Sequence, residues 1–162
     1  MNKQVKTRLM AMAIGLVYLW FGALKFVPNL SPAEDLAKNT IDQLTFGLIP
    51  DDVSIILLAI WEVGLGFLLI FGFLRRQAVI LGLVHMVCTF APLFFFPNDV
   101  FGAEPLSLTL VGQYIIKNLI IIAAFLSIYD KKEVVQKAHT PTTVQKQSSH
   151  WILAGKNLFK KA

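Results

Sequence analysis

Four stretches of mostly apolar residues, each about 20 residues long, dominate the first 130 residues of the chain. A helix rises about 1.5 Å per residue, so each stretch is long enough to cross a hydrocarbon core about 30 Å thick. Lipid admits only helices or closed barrels, and these stretches lack the alternation of barrel strands. The sequence therefore predicts an all-α integral membrane protein, a four-helix transmembrane bundle with spans at about residues 9–27, 53–73, 77–96 and 106–129.

The remaining segments predict two further helices. The loop at residues 28–52 is too long for a tight turn, and residues 35–46 predict a short surface helix. After a membrane domain at residues 1–130 comes a basic tail at residues 131–162. Apolar and basic residues at helical spacing predict an amphipathic helix at about residues 149–161, lying on the anionic membrane surface. Pro92, inside the third stretch, predicts a kink.

The placement of charge predicts the orientation. Bases lie before the first span, between the second and third spans at Arg75 and Arg76, and in the tail. The opposite loops carry one base, Lys38, and seven acidic residues. By the positive-inside rule, both termini are cytoplasmic, and the bases behind the net charge of +5 set topology rather than bind nucleic acid.

Several kinds of chemistry are excluded or disfavoured by the residues present. The single cysteine, Cys88, rules out an intramolecular disulfide or a paired-thiol relay. His85 is the only histidine in a span, so one chain cannot hold a haem between two histidines there. No carboxylate or histidine pair has metal-ligand spacing, which predicts that there is no metal site, and no glycine-rich phosphate loop occurs.

Small and polar residues recur at helical spacing along one face of each stretch, which predicts that these faces turn inward, because membrane helices pack through small residues. The predicted faces are Ala11, Gly15, Tyr18, Gly22 and Lys25 in the first span; Ala59, Glu62 and Gly66 in the second; Ala78, Gly82, His85, Thr89 and Pro92 in the third; and Thr109, Gln113, Tyr114, Lys117, Asn118 and Ala124 in the fourth.

The ionisable residues within the spans are costly, at least about 2.5–3.5 kcal/mol for a charge at the bilayer centre. Counting from the span ends, Glu62 lies about 14 Å deep, Lys117 about 16 Å deep, and His85 about 12 Å from the cytoplasmic side. This common level predicts a Glu62–Lys117 pair, either structural or part of a binding site. Lys25 either extends to the interface or reaches Glu62, and His85 either bonds a neighbour or contacts a ligand. The ligand-binding candidates are Lys25, Glu62, His85, Gln113, Lys117 and Asn118.

Three motifs carry a family resemblance. Residues 18–28 read YLWFGALKFVP and resemble the first-span signature of the DoxX superfamily, nearest its YkgB-like inner-membrane proteins. Residues 61–66, WEVGLG, resemble the glutamate motif of its second span, and residues 112–118, GQYIIKN, resemble the start of its last span. The resemblance implies four spans and recurring polar residues at Lys25, Glu62 and Lys117. The YkgB-like pattern has Arg at Gln113 and Asp at Asn118, so this chain lacks that charge pair.

The resemblance also carries a functional expectation, since family members are associated with thiosulfate:quinone oxidoreductase subunits and with oxidative or chlorine stress. It implies a multi-pass protein of the bacterial inner membrane that is not catalytic alone but an accessory subunit of a redox or stress-response system. The polar pocket between the spans would bind a quinone or a small organic anion; no other cofactor is expected. The expected partners are the bilayer, a soluble or membrane redox partner and further copies of the chain. Two alternatives stay open: a scaffold whose buried charges are structural, and a small oligomeric transporter.

Overall fold

The computed structural model describes residues 2–104 and 107–129, and the predicted tail helix at residues 149–161 lies outside them. Within these residues the chain is built from helices, with one isolated antiparallel bridge between Phe101 and Leu108. The helices are α1 (Lys3–Leu24), α2 (Glu34–Thr45), α3 (Asp51–Phe71), α4 (Arg75–Cys88), α5 (Pro92–Phe95), α6 (Pro97–Val100) and α7 (Leu110–Ile128).

Four of these segments are long and apolar enough to cross a membrane, which confirms the predicted all-α bundle of four spans. They are Lys3–Leu24, Asp51–Phe71, Arg75–Phe95 and Leu110–Ile128. The protein is therefore a multi-pass membrane protein. The short surface helix predicted in the first long loop is confirmed as α2.

The span ends differ from the predicted ones because capping, and not only hydropathy, decides where a helix begins and ends. The side chain of Asn2 accepts a hydrogen bond from the Gln4 amide, so α1 begins within the basic segment before the apolar run. Thr109 caps α7 by accepting from the Gly112 amide at 3.1 Å, which delays the start of the last span to Leu110. Gly72, at φ +74°, ends α3 in the left-handed conformation that glycine adopts without strain.

The most extensive helix contact joins α1 to α3, and it depends on two glycines that face each other. A Cβ on Gly15 would lie 2.9 Å from the Gly66 carbonyl oxygen, and a Cβ on Gly66 would lie 2.8 Å from the Gly15 carbonyl oxygen. The two backbones therefore touch directly, as in other membrane helices that pack through small residues. Contacts of α3 with α4, α4 with α7, and α7 with α1 complete a closed ring of spans.

The third span is interrupted next to Pro92, as the sequence predicts. Helix α4 ends at Cys88, three residues form a turn, and α5 begins at Pro92. The amide of Phe90 donates to the Val87 carbonyl oxygen at 3.1 Å. The Met86 carbonyl therefore lacks the amide donor that it would have in a continuous α-helix. The hydroxyl of Thr89 donates to that carbonyl at 2.6 Å, so a side chain satisfies the group that the break exposes.

The predicted inward faces hold for the first three spans but only in part for the fourth, where Thr109, Asn118 and Ala124 are half-buried and Gln113, Tyr114 and Lys117 are exposed. The buried residues of α1, α3 and α4 include the glycines and alanines of the predicted faces. In α7 the buried residues are Gly112, Ile115, Phe125 and Ile128.

Shape complementarity explains the different rotation of α7. Gly112 lies against the Val100 carbonyl, where a Cβ would not fit, and the Phe125 ring fills the space that Gly82 leaves open. These two contacts turn the side of α7 that carries Gln113 and Lys117 outward, where both residues are exposed. Polarity alone therefore placed Gln113, Tyr114 and Lys117 on the wrong side of α7.

Candidate functional site

A connected set of polar side chains lies among the first three spans. It consists of Lys25, Glu62, His85 and Tyr18, and we call it the polar chain. Tyr18 belongs to α1 and Lys25 is the residue that ends it, while Glu62 comes from α3 and His85 from α4. The side chains of Lys25, Glu62 and His85 are 9%, 10% and 11% exposed, so the chain is nearly enclosed by protein.

Lys25 and Glu62 form the strongest contact of the polar chain. The Lys25 ammonium donates to Glu62 Oε2 at 2.7 Å, and also to the carbonyl oxygen of Phe21 at 3.3 Å. The position suits a cation, because the carbonyls at the end of α1 carry partial negative charge. Gly22 makes the pairing sterically feasible, since a Cβ there would lie 2.8 Å from the Cβ of Glu62. Of the two predictions for Lys25, the structure confirms that it reaches Glu62.

His85 connects the ion pair to Tyr18. Its Nε2 lies 3.6 Å from Glu62 Oε1, and its Nδ1 lies 3.0 Å from the Tyr18 hydroxyl. When the hydroxyl donates to Nδ1, the ring proton is on Nε2 and faces the carboxylate, so both contacts are favourable in one tautomer. The Tyr18 ring also packs against Phe125, with centroids 6.1 Å apart. His85 therefore bonds a neighbour, one of its two predicted roles.

The other three candidates lie apart from the polar chain. Asn118 donates to the Thr89 hydroxyl at 3.0 Å, and Gln113 contacts the Leu108 carbonyl at 3.5 Å. Lys117 is exposed, with its ammonium 5.3 Å from the centre of the Tyr114 ring.

The predicted Glu62–Lys117 pair is therefore wrong, because Glu62 pairs with Lys25 instead. Equal depth in the bilayer does not decide which residues meet, since each helix must also be rotated toward its partner. The spacing of Lys25 after Gly22, on the face that packs against α3, was the sequence signal for the correct pair.

A second ion pair, which the sequence analysis did not identify, lies at the start of α2. Glu34 accepts from Lys38 at 2.9 Å and from the Asn29 amide at 2.9 Å. The hydrogen bond from Lys38 holds the pKa of Glu34 below its usual value, and the Asn29 amide and the more distant charge of Lys25 act in the same direction. The same bond raises the pKa of Lys38. Charges of alternating sign thus continue from the polar chain into α2.

Two of the surface pockets in the described part of the chain lie outside the polar chain. One, of about 470 Å³, is lined by residues of α2 and the turn after it together with Phe95. The other is an apolar groove of about 320 Å³ along α1, lined by Leu16, Leu19, Trp20, Ala23 and Leu24. The groove ends at the residue before Lys25. Within residues 2–104 and 107–129, no group of three or more histidine, cysteine, aspartate or glutamate side chains is placed to hold a metal.

Comparison with known proteins identifies one family. A sequence model of the DoxX family matches residues 7–96, which is more than half of the chain. The matched region runs from α1 to α5 and includes all four residues of the polar chain. Searches of curated proteins and of solved structures each found no match.

Proposed function

The chain belongs to the DoxX family, and on that premise we propose that it is a membrane subunit of a redox or stress-response system whose polar chain binds the head group of a quinone. The observation that carries the proposal is the contact series Lys25–Glu62–His85–Tyr18 among three spans, in which hydrogen bonds at both ends flank a 3.6 Å approach of Glu62 to His85. Chains of carboxylates and histidines within membrane segments are typical of proton relays and substrate pathways.

The donors of the polar chain suit a quinone carbonyl or a small organic anion. A lysine ammonium has three N–H donors, and two of those of Lys25 are used, on Glu62 and Phe21. The third is available to an oxygen atom of a ligand. The apolar groove lies on the opposite, exposed side of α1, so an isoprenoid tail would pass around the helix to reach it. A bound quinone would supply two-electron, two-proton redox chemistry.

The role of the protein's own residues follows from their chemistry. Lys25 holds the ligand oxygen and neutralises charge that develops on it. Glu62 and His85 hold protons beside that position, and a proton passes between them when Oε1 and Nε2, 3.6 Å apart, close to hydrogen-bond distance or are bridged by one water. Electrons come from a soluble or membrane redox partner, which makes this chain an accessory subunit rather than an enzyme alone.

Three finer assignments are part of the same proposal. We place the chain in the YkgB-like subgroup on the motifs at residues 18–28, 61–66 and 112–118. We place it in the bacterial inner membrane on the same resemblance, with both termini in the cytoplasm on the distribution of its bases.

The test is quinone retention and titration. Protein purified in a mild detergent is extracted with solvent for mass spectrometry, and a short-chain quinone is titrated against tryptophan fluorescence, to which the exposed Trp20 of the groove contributes. We expect bound quinone in the extract and saturable quenching. Glu62→Gln should weaken binding about tenfold, because a hydrogen bond to a charged group contributes about 1.5–3 kcal/mol.

A matched control separates the polar chain from the rest of the bundle. Lys117→Gln changes another charge within a span, but one that is exposed and away from Glu62. It should bind quinone as the unchanged protein does. The proposal fails if the unchanged protein neither retains nor binds quinone, or if folded Glu62→Gln binds with unchanged affinity.

One observation favours a scaffold as the second candidate. The Lys25–Glu62 pair lies beside Gly22 in the tightest helix contact, where an ion pair also fixes the register of α1 against α3. A scaffold needs only a contact between the helices, so the neutral pair Lys25→Gln with Glu62→Gln, whose amides can bond each other and the Phe21 carbonyl, should preserve both abundance and partner binding. Loss of quinone binding in this folded, abundant double variant would exclude a purely structural role.

A further inference from the structure

Lys117 presents a charge on the exposed surface of a membrane span. It lies on α7, in a segment apolar enough to cross the bilayer, and its side chain is exposed. In the part of the chain that the structure describes, no carboxylate lies within ion-pair distance of its ammonium, which instead lies over the Tyr114 ring. A lysine facing hydrocarbon is costly, so its ammonium must extend to the interface, where an anion from outside the bundle can pair with it.

The geometry directs this ammonium toward the head groups. Lys117 lies seven residues after the start of α7 at Leu110, about 10 Å along the helix. Long side chains on a helix lean toward its N-terminus, and the 5.3 Å separation from the Tyr114 ring shows that Lys117 does so. A lysine stem extends several ångströms in this direction while its carbons stay in apolar surroundings. The charge therefore reaches the interface at the start of α7.

Along the exposed face of α7, polar residues come first and an aliphatic residue follows deeper in the span, which is the order of the head group and the acyl chains in a phospholipid. Toward the helix start lie Gln113 and Tyr114, an amide and a phenol. Beyond Lys117 on the same side of the helix, deeper in the span, lies Ile120, which is 72% exposed. Polar groups thus face the head-group region, and an aliphatic side chain faces the acyl chains.

We propose that this face, Gln113, Tyr114, Lys117 and Ile120, is a binding site for one anionic phospholipid. The Lys117 ammonium binds the phosphate, the Tyr114 hydroxyl and the Gln113 amide donate to phosphate or glycerol oxygens, and an acyl chain lies on Ile120. The occupant belongs to the leaflet at the start of α7.

Charge argues against a second copy of the chain as the occupant. A symmetric contact through this face would bring two Lys117 ammonium groups together. Glu62 is the only carboxylate within the apolar part of the described spans, and it is buried and paired with Lys25. The exposed acidic residues of those spans, Asp51 and Asp52, lie in the first turn of α3, outside its apolar part. A phosphate supplies the negative charge together with the acyl chain that the apolar part of the face accommodates.

The experiment compares lipids that differ only in their head group. Delipidated protein in detergent is titrated with phosphatidylglycerol or phosphatidylcholine of identical acyl chains, and binding is followed by native mass spectrometry and by the thermal unfolding midpoint. We expect about a fivefold preference for phosphatidylglycerol at one site, the ratio that corresponds to about 1 kcal/mol for one basic residue at an anionic surface. Lys117→Gln should abolish the preference at that site, and Tyr114→Phe should reduce it.

Controls identify the source of any effect. Lys38→Gln removes a lysine near the same end of the bundle that is paired with Glu34, and it should keep the preference. The proposal is overturned if phosphatidylcholine binds equally, if Lys117→Gln retains the preference, or if inorganic phosphate alone reproduces the stabilisation. A lipid-free dimer that Lys117→Gln dissociates would also overturn it, since the face would then be a protein interface.

Discussion

Replacing Gly66 by alanine should force α1 away from α3. The new Cβ would lie 2.8 Å from the Gly15 carbonyl oxygen and 2.9 Å from the Leu19 amide nitrogen, whereas ordinary contact begins at 3.4 Å. Both neighbours are backbone atoms, so no change of rotamer relieves the clash and the helices must separate by several tenths of an ångström. Overpacking of this kind costs about 1–3 kcal/mol, partly offset by about 1 kcal/mol of helix propensity.

A control on the same helix isolates the clash. A Cβ at Gly64 would meet no atom within 4 Å, so Gly64→Ala reports the propensity gain alone. We expect Gly66→Ala to be less stable than Gly64→Ala by about 1–3 kcal/mol, measured by titrating SDS into detergent micelles and following helicity by circular dichroism. Equal stability of the two variants, within about 0.5 kcal/mol, would refute the direct backbone contact between α1 and α3.

Three further predictions concern the polar groups. Lys25→Met should lower the free energy of unfolding by about 3–5 kcal/mol in the same titration, because it leaves Glu62 buried without a cation. Glu62→Gln should lower it less, because the lysine at the end of α1 can turn to the interface. Equal losses of stability in the two variants would contradict this. Thr89→Val should cost about 1–3 kcal/mol by removing both hydrogen bonds of its hydroxyl, while Thr89→Ser keeps them; similar losses for both would contradict the bonding. The pKa of Glu34 is lowered in the folded protein, so the contribution of Glu34 to stability is present above the usual glutamate pKa of 4.5 and is lost as the pH falls through the lowered pKa. Over that acidic range, hydrogen exchange of the Asn29 amide should accelerate beyond its intrinsic pH dependence. Glu34→Gln should remove this extra acceleration.

The spans and the surface helix were predictable because each depends on local properties of the sequence. The length of an apolar run determines whether it can cross a bilayer, and Pro92 cannot continue a helix without a substitute donor. The rhythm of Gly15 and Gly22 predicted which side of α1 is buried, and Lys25 follows on that side.

The rotation of α7 and the partner of Glu62 depend on information that one helix does not contain. Phe125 is buried because Gly82 on another helix leaves space for its ring, and neither residue reveals this by itself. Lys117 and Lys25 were both able to reach the predicted depth of Glu62, and only the rotation of each helix distinguishes them. The penalty for charge in lipid made an inward Lys117 the natural prediction, yet an exposed lysine avoids that penalty by reaching the interface.

The proposal that the polar chain binds a quinone and exchanges protons with it is tested most directly by infrared difference spectroscopy. Quinone-loaded protein is reduced and reoxidised electrochemically, and the carboxyl region of the difference spectrum is compared between the unchanged protein and Glu62→Gln. We expect a carboxyl band that changes on reduction and disappears in Glu62→Gln, with the band retained in Asp35→Asn, which alters an exposed acidic residue of α2. A difference spectrum without a carboxyl band, or with one that Glu62→Gln leaves unchanged, would contradict the account.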